Sequence, residues 1–337
     1  MMTSRFSFDL PERLIAQTPV EKRGGSRLMV VHRGIGIEHR QFEQIANYIN
    51  SGDLLILNDT KVTPRRLFGV DESGKEIDIL IVDKIEGNRY SILSKGKNTC
   101  SVTFNSNLLS AKIFDGKEAE FFYKGDFNEI LWKIGNMPLP PYIKRKPDIS
   151  DIERYQTVYA KNEGSIAAPT AGIHFTDSII NTLISKGVII KTITLHVGIG
   201  TFRPIKVDDI DNHKMMDEYF EIKNNVIDEI SDTKKRGNKV ILAGTTTTRA
   251  LEAYISGQYK IIEKTNEMIT AKTDIFIKPG HKFNVPNCLL TNFHLPCSTP
   301  MLLVSAFAGL ETIIDSYKEA IDNGYRFFSY GDAMILM

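Results

Sequence analysis

Cysteine and tryptophan are scarce: the 337 residues include three Cys and one Trp. Cys100, Cys288 and Cys297 are odd in number and show no CxxC spacing. That pattern excludes a disulfide framework, argues against a cysteine-built zinc site and points to a reducing, cytoplasmic setting. Neither sign of charge prevails. With 42 Lys and Arg against 41 Asp and Glu the formal net charge is +1, so a whole-protein electrostatic grip on nucleic acid is not expected and only a local basic patch is allowed. No apolar run fit for a signal peptide precedes Asp9 and Glu12. The charge-free stretch 283–310 could span a bilayer by length, but Pro286, Pro296 and Pro300 interrupt it, so it reads as buried strand, loop and helix and no membrane partner is expected. HExxH, HxH, GxSxG and P-loop patterns are missing, so no dedicated metal site is expected and none of the chemistries tied to those motifs is indicated.

What is present is an α/β rhythm with a different texture inside it. Residues 41–50 read as a short amphipathic helix, and "DLLILND" (53–59) reads as a buried strand. Between 65 and 134, short β-type segments ("EIDILIV", "RYSIL", "CSVTF", "AEFFY") alternate with Gly, Asn, Asp and Ser turns, the pattern of a small β-barrel. "NMPLPPYIKRKPD" (136–148) reads as the linker leaving it. Helix 176–187 is predicted from a Thr176 or Asp177 N-cap and the Gly187 stop. Further helices are predicted at 224–236, from about 246 and at 311–323, and strands at 239–244, 274–277 and 288–292. The expected architecture is an α/β domain formed by 1–63 and 151–337, interrupted by an inserted β-barrel domain at 64–150.

Candidate chemistry lies in charge-free islands that follow strands, where open α/β sheets bind ligands. "GSIAAPTAGIHFT" (164–176) holds Thr170, Gly172 and His174; "LHVGIGTFRP" (195–204) holds His196, Gly198, Gly200, Thr201 and Arg203; "TNFHLPCSTP" (291–300) holds Asn292, His294 and Ser298. A buried histidine can be a hydrogen-bonded core residue or a neutral imidazole held for proton transfer, and both readings stand for each of the three. In "VILAGTTTTRALEAY" (240–254), Thr245 and Thr246 open a helix that bears Arg249, and hydroxyls, free N–H groups and a guanidinium could converge on one anion; simple helix capping is the alternative. "HVGIGTFRP" has no third glycine at the dinucleotide spacing, so a Rossmann fingerprint is rejected. "LILNDTKVTPRR" (54–66) ends a strand with Asn58, Asp59 and Thr60 and adds Lys61, Arg65 and Arg66, which could track phosphates. Arg145 lies in a second basic spot.

These segments occur in a familiar order. "FDLPERLIAQTP", "GDLLILNDTKVTPRRLFG", "MPLPPYIKRKPD", "GSIAAPTAGIHFT", "HKMMDEYFEI", "GTTTTRALE", "TNFHLPCSTPMLLVSAFAG" and "YRFFSYGDAMIL" together resemble the S-adenosylmethionine:tRNA ribosyltransferase-isomerase family of queuosine biosynthesis, over nearly the whole chain. Lys61 stands where that family typically shows Arg, Thr247 and Thr248 replace Ser-Val, and Pro300 replaces Leu. The resemblance implies an α/β domain carrying a β-barrel. It also implies transfer and isomerisation of the ribosyl part of S-adenosylmethionine onto 7-aminomethyl-7-deazaguanine at the tRNA wobble position, giving epoxyqueuosine with loss of adenine and methionine. S-adenosylmethionine is then a co-substrate, with no permanently bound cofactor, and the partner is an anticodon stem-loop. The base that removes a C5′ proton beside the sulfonium would be His174 or His196, with His294 or Asp59 as alternatives. The expected small-molecule contacts are Asn58, Thr60, Thr170, Gly172, Gly198, Gly200, Thr201, Arg203, Thr245, Thr246, Arg249, Asn292 and Ser298. Lys61, Arg65, Arg66 and Arg145 are the expected RNA contacts. A monomer suffices, and the rival function is a non-catalytic tRNA-binding module.

Overall fold

The computed structural model describes residues 1–96, 99–105, 108–202 and 204–337, with the backbone alone at 201 and 202. Its larger domain is built on a ten-stranded mixed sheet. Four adjacent strands run parallel at its centre, in the order Ile189–His196, Leu54–Asn58, Val240–Ala243 and Cys288–Asn292. The last three are fully buried along their length, which explains their largely apolar sequences. Leu54, Ile56 and Leu242 pack into one core, and Leu55, Leu57 and Ile241 into a second on the opposite face, as strand alternation requires. Antiparallel strands Glu218–Lys223, Met268–Thr273 and Lys260–Lys264 extend one edge. On the other side Ala333–Leu336, Arg27–His32 and Gly36–Gln41 complete the sheet.

The insertion is a closed six-stranded barrel with strands at Arg66–Asp71, Glu76–Glu86, Arg89–Ser94, Cys100–Phe104, Leu109–Phe114 and Glu118–Tyr123. Helix Phe127–Ile134 packs Phe127 and Leu131 into the barrel core. The chain leaves beside its entry: Arg66 bridges Asn136, and Gly135 lies so close to Pro64 that a Cβ would sit 1.9 Å from the Pro64 carbonyl oxygen.

Several local expectations need correction. Residues 274–277 form no ladder. Ile275 and Ile277 are buried as an alternating pattern suggests, but the Ile275 carbonyl accepts from Arg249 Nε, and the paired strand is Met268–Thr273. The segment after Gln41 is a 3-10 helix, Phe42–Asn47, whose buried Phe42 and Ile45 repeat at the three-residue spacing of that helix. Residues 136–148 are not a solvated linker: Met137, Leu139 and Ile143 pack with Tyr155 and Tyr330. The helix of the 176–187 prediction runs Asp177–Ser185, with Thr176 accepting from Ile179 N.

Candidate active site

The four parallel strands end on one side of the sheet, and a narrow cleft of about 60 Å³ lies there. Two helices start on its wall. Helix Thr245–Ser256 follows strand Val240–Ala243 directly and presents Thr245 and Thr246. Helix Thr299–Ala308 is capped by Ser298, whose hydroxyl accepts from Met301 N at 3.3 Å and donates to Leu295 O at 2.7 Å. The 3-10 turn Thr170–Gly172 supplies Thr170. Unpaired N–H groups at helix starts favour an anion.

The threonine run divides its work. Thr247 and Thr248 donate to Ala243 O and Gly244 O inside the helix, so these two departures from the family pattern are satisfied away from the cleft. Arg249 does not join the threonines. Its guanidinium forms a buried ion pair with Glu218, so the convergence predicted from sequence spacing is not formed. Gly172 does not line the cleft either: a Cβ there would meet Tyr159 Oη at 2.1 Å, so close packing explains the glycine.

The three histidines separate. His174 is core: Nδ1 lies 2.7 Å from Ser26 Oγ, Nε2 lies 3.0 Å from Asn292 Nδ2, and Phe42 packs beside the ring at 5.0 Å. Asn292 Nδ2 can only donate, so Nε2 accepts and Nδ1–H donates to Ser26. Burial pushes its pKa down to about 4. Because the unfolded chain takes up a proton near pH 6.5, the stability gained by keeping His174 neutral is intact above that pH and is lost as pH falls toward 4. The loss is on the order of 3 kcal/mol. Thermal unfolding between pH 7 and 4 should show the decline, and His174→Gln should flatten part of it. His294 lines the cleft with Nε2 2.7 Å from Thr291 Oγ1, and burial lowers its pKa to about 3.

His196 occupies different ground. It faces a groove of about 1560 Å³ between the barrel and the large domain, which shares Val197 with the cleft. Its Nδ1 is 2.8 Å from Thr60 Oγ1, and its ring stacks on Tyr219 at 5.3 Å and 8°. Gly164 admits the ring: a Cβ there would lie 2.8 Å from Nε2. Burial lowers the His196 pKa as well. Asp59, 8% exposed, accepts from Thr194 Oγ1 at 2.7 Å and Asn162 Nδ2 at 3.1 Å. Asn58 latches neighbouring strands through Leu195 O and N, and Nδ2 also lies 3.4 Å from Thr246 Oγ1.

Gly198 and Gly200 line this groove, Gly198 with open space around it and Gly200 beside Met216 Sδ. Arg203 and the side chain of Thr201 lie outside the described residues. Among the expected RNA contacts, Arg65 borders the groove with Lys84, Lys206, Lys214 and Lys272, opposed by Asp83, Asp217 and Glu218. Lys61 pairs with Glu163 over the Trp132 ring, and Arg66 holds Asp78 through two bonds. Arg145 grips Asp151 bidentately. Sequence reading missed Tyr142, Thr291, Phe328 and Ser329, all on the cleft wall. Thr291 and His294 at i and i+3, and the charge-free aromatic "FFSYG", were the available signals.

A polar-lined cleft at the strand ends, beside a wide groove against a second domain, marks the ligand-binding side of an α/β protein. The family described as queuosine biosynthesis protein matches residues 3–336. The chain belongs to that family. S-adenosylmethionine:tRNA ribosyltransferase-isomerases from Thermodesulfovibrio yellowstonii and Halothermothrix orenii are 47% and 46% identical to it, with both chains covered completely in each case. The solved structure of S-adenosylmethionine tRNA ribosyltransferase from Thermotoga maritima matches 99% of this chain and 100% of its own, at 32% identity and a TM-score of 0.57.

Proposed function

We propose that this protein transfers and isomerises the ribosyl moiety of S-adenosylmethionine onto 7-aminomethyl-7-deazaguanine at the tRNA wobble position, giving epoxyqueuosine-tRNA with release of adenine and methionine. The observation that carries the reading is the cleft and groove sharing Val197. S-adenosylmethionine occupies the cleft, and the anticodon loop enters through the groove, where its base is splayed out and stacked. Arg65, Lys84, Lys206, Lys214 and Lys272 face the RNA backbone there. Lys61, Arg66 and Arg145, each held by an acidic side chain of the protein, contribute to the scaffold instead.

The sulfonium acidifies its C5′ protons, and a neutral base must take one without hydrating the cation. His196 is that base. In the tautomer whose Nδ1–H donates to Thr60 Oγ1, the Nε2 lone pair is available, and His196 adjoins Val197, the residue that cleft and groove share. His174 has both ring nitrogens bonded, and His294 is the weaker base because its pKa is pushed down to about 3. The enzyme acts as a cytoplasmic monomer.

The test is direct. An anticodon stem-loop carrying 7-aminomethyl-7-deazaguanine, incubated with protein and S-adenosylmethionine, should gain the mass of the epoxycyclopentanediol unit while adenine appears in step. RNA that binds but gains no mass and releases no adenine would favour the binding-module reading.

A further inference from the structure

Asn292 ends the strand Cys288–Asn292, is 2% exposed and lines the cleft. The two hydrogens on its Nδ2 are shared among three acceptors, His174 Nε2 at 3.0 Å, Phe328 O at 3.2 Å and Asp332 O at 3.3 Å. The two backbone carbonyls can only accept, so the amide cannot be turned over. Oδ1 is thereby left as a buried acceptor with no partner among the described residues. Buried acceptors ordinarily find a donor, and here the cleft is where one can come from.

The position of this oxygen says what kind of donor. Ala243 pairs with Leu290; past that pair one chain turns at Gly244 into helix Thr245–Ser256 while its neighbour runs on to Asn292, and Thr245 and Asn292 both line the cleft beyond the two strand ends. Neighbouring strands lie about 4.8 Å apart, a span that one α-amino acid head can bridge. On one side are the first N–H groups of helix Thr245–Ser256, which attract a carboxylate. On the other is a carbonyl oxygen suited to an ammonium. Arg249 is turned away toward Glu218, so the carboxylate meets backbone N–H groups and not a guanidinium.

We infer that Asn292 Oδ1 and the start of helix Thr245–Ser256 clasp the two ends of a zwitterionic α-amino acid, the methionine part of S-adenosylmethionine, with His174 as the positioning residue that aims the amide. The inference rests on the reading under Proposed function. It gives His174 a role its buried site had left open: its Nε2 takes one of the Asn292 hydrogens and so helps turn Oδ1 to the ligand.

Calorimetry on the intact protein tests it with three probes. These are S-adenosylhomocysteine, the same molecule without its α-amino group, and 5′-methylthioadenosine, which has no amino-acid part. Asn292→Ala should weaken S-adenosylhomocysteine about tenfold and leave the other two within about twofold. His174→Gln should shift the same ligand selectively, which loss of core packing alone would not do. Thr245→Pro, at a first helical position that accepts proline, removes one N–H and should weaken both carboxylate-bearing probes while sparing 5′-methylthioadenosine. Should Asn292→Ala fail to fold, Thr245→Pro with the same probes decides. Equal weakening of 5′-methylthioadenosine would overturn the inference by assigning the oxygen to adenine or to the fold alone. Unchanged S-adenosylhomocysteine binding would overturn it too. If the wild type binds none of the probes, the assignment of S-adenosylmethionine to this protein falls as well.

Discussion

His196→Gln lowers turnover by about 10²- to 10⁴-fold, the usual loss when a positioned general base is removed, while S-adenosylhomocysteine still binds and the unfolding temperature holds. Thr60 Oγ1 fixes one nitrogen, Tyr219 fixes the plane, and Gly164 leaves room at the other nitrogen. Glutamine can keep a hydrogen bond to Thr60 but cannot take the proton. Single-turnover measurement of adenine release separates this from a binding defect. On the same reading His294→Gln should raise KM more than it lowers kcat, because that ring lines the cleft. If His196→Gln turns over at the wild-type rate, the base is elsewhere, and Asp59 is the next residue to replace.

A comparable effect, on stability, is expected at Asp151. This carboxylate is fully buried and receives two bonds from Arg145, one from the Tyr330 hydroxyl at 2.7 Å and one from Asp148 N at 2.9 Å. Arg145→Leu strands a buried charge and should cost about 3–5 kcal/mol, read as a fall in the urea midpoint with the slope unchanged. The adjacent Lys144, paired with Glu12 where both are exposed, should cost less than about 1 kcal/mol when replaced by Ala. Burial pushes the Asp151 pKa up, but the bonds from Arg145, Asp148 N and Tyr330 outweigh it and hold the group below the ordinary carboxylate range. Its contribution is therefore complete above roughly pH 3.9 and lost as pH falls further. In Arg145→Leu that acid limb should flatten. Similar losses from both replacements would mean that the pair at Asp151 carries no special weight.

Much of the fold is legible in the sequence because its signals are local. "LLIL" and "VILA" are unbroken apolar runs because both faces of those strands are covered. The turn-rich rhythm between 65 and 134 marks a barrel, although strand Leu109–Phe114 is not evident within it. Partners distant in sequence are what one dimension hides. Arg249 follows Thr245 by four residues and shares its helical face, yet Glu218 from another strand draws the guanidinium away. His174 and His196 sit in equally uncharged segments, and only Ser26 and Asn292 on one side, Thr60 and Tyr219 on the other, tell them apart. Arg145 reads as an RNA contact in the sequence because its partner Asp151, itself held by Tyr330, is seen only in the fold.

The barrel's two junctions lie side by side, with Arg66 bridged to Asn136 and Gly135 pressed against Pro64. An insertion whose ends already meet adds little loop-closure cost to the host sheet. Evolution could therefore lengthen, shorten or reshape the barrel without disturbing the folding of the strands that carry His196 and Asn292. Diversity in the RNA recognised would then accumulate in one wall of the groove, while the chemistry stayed on the other.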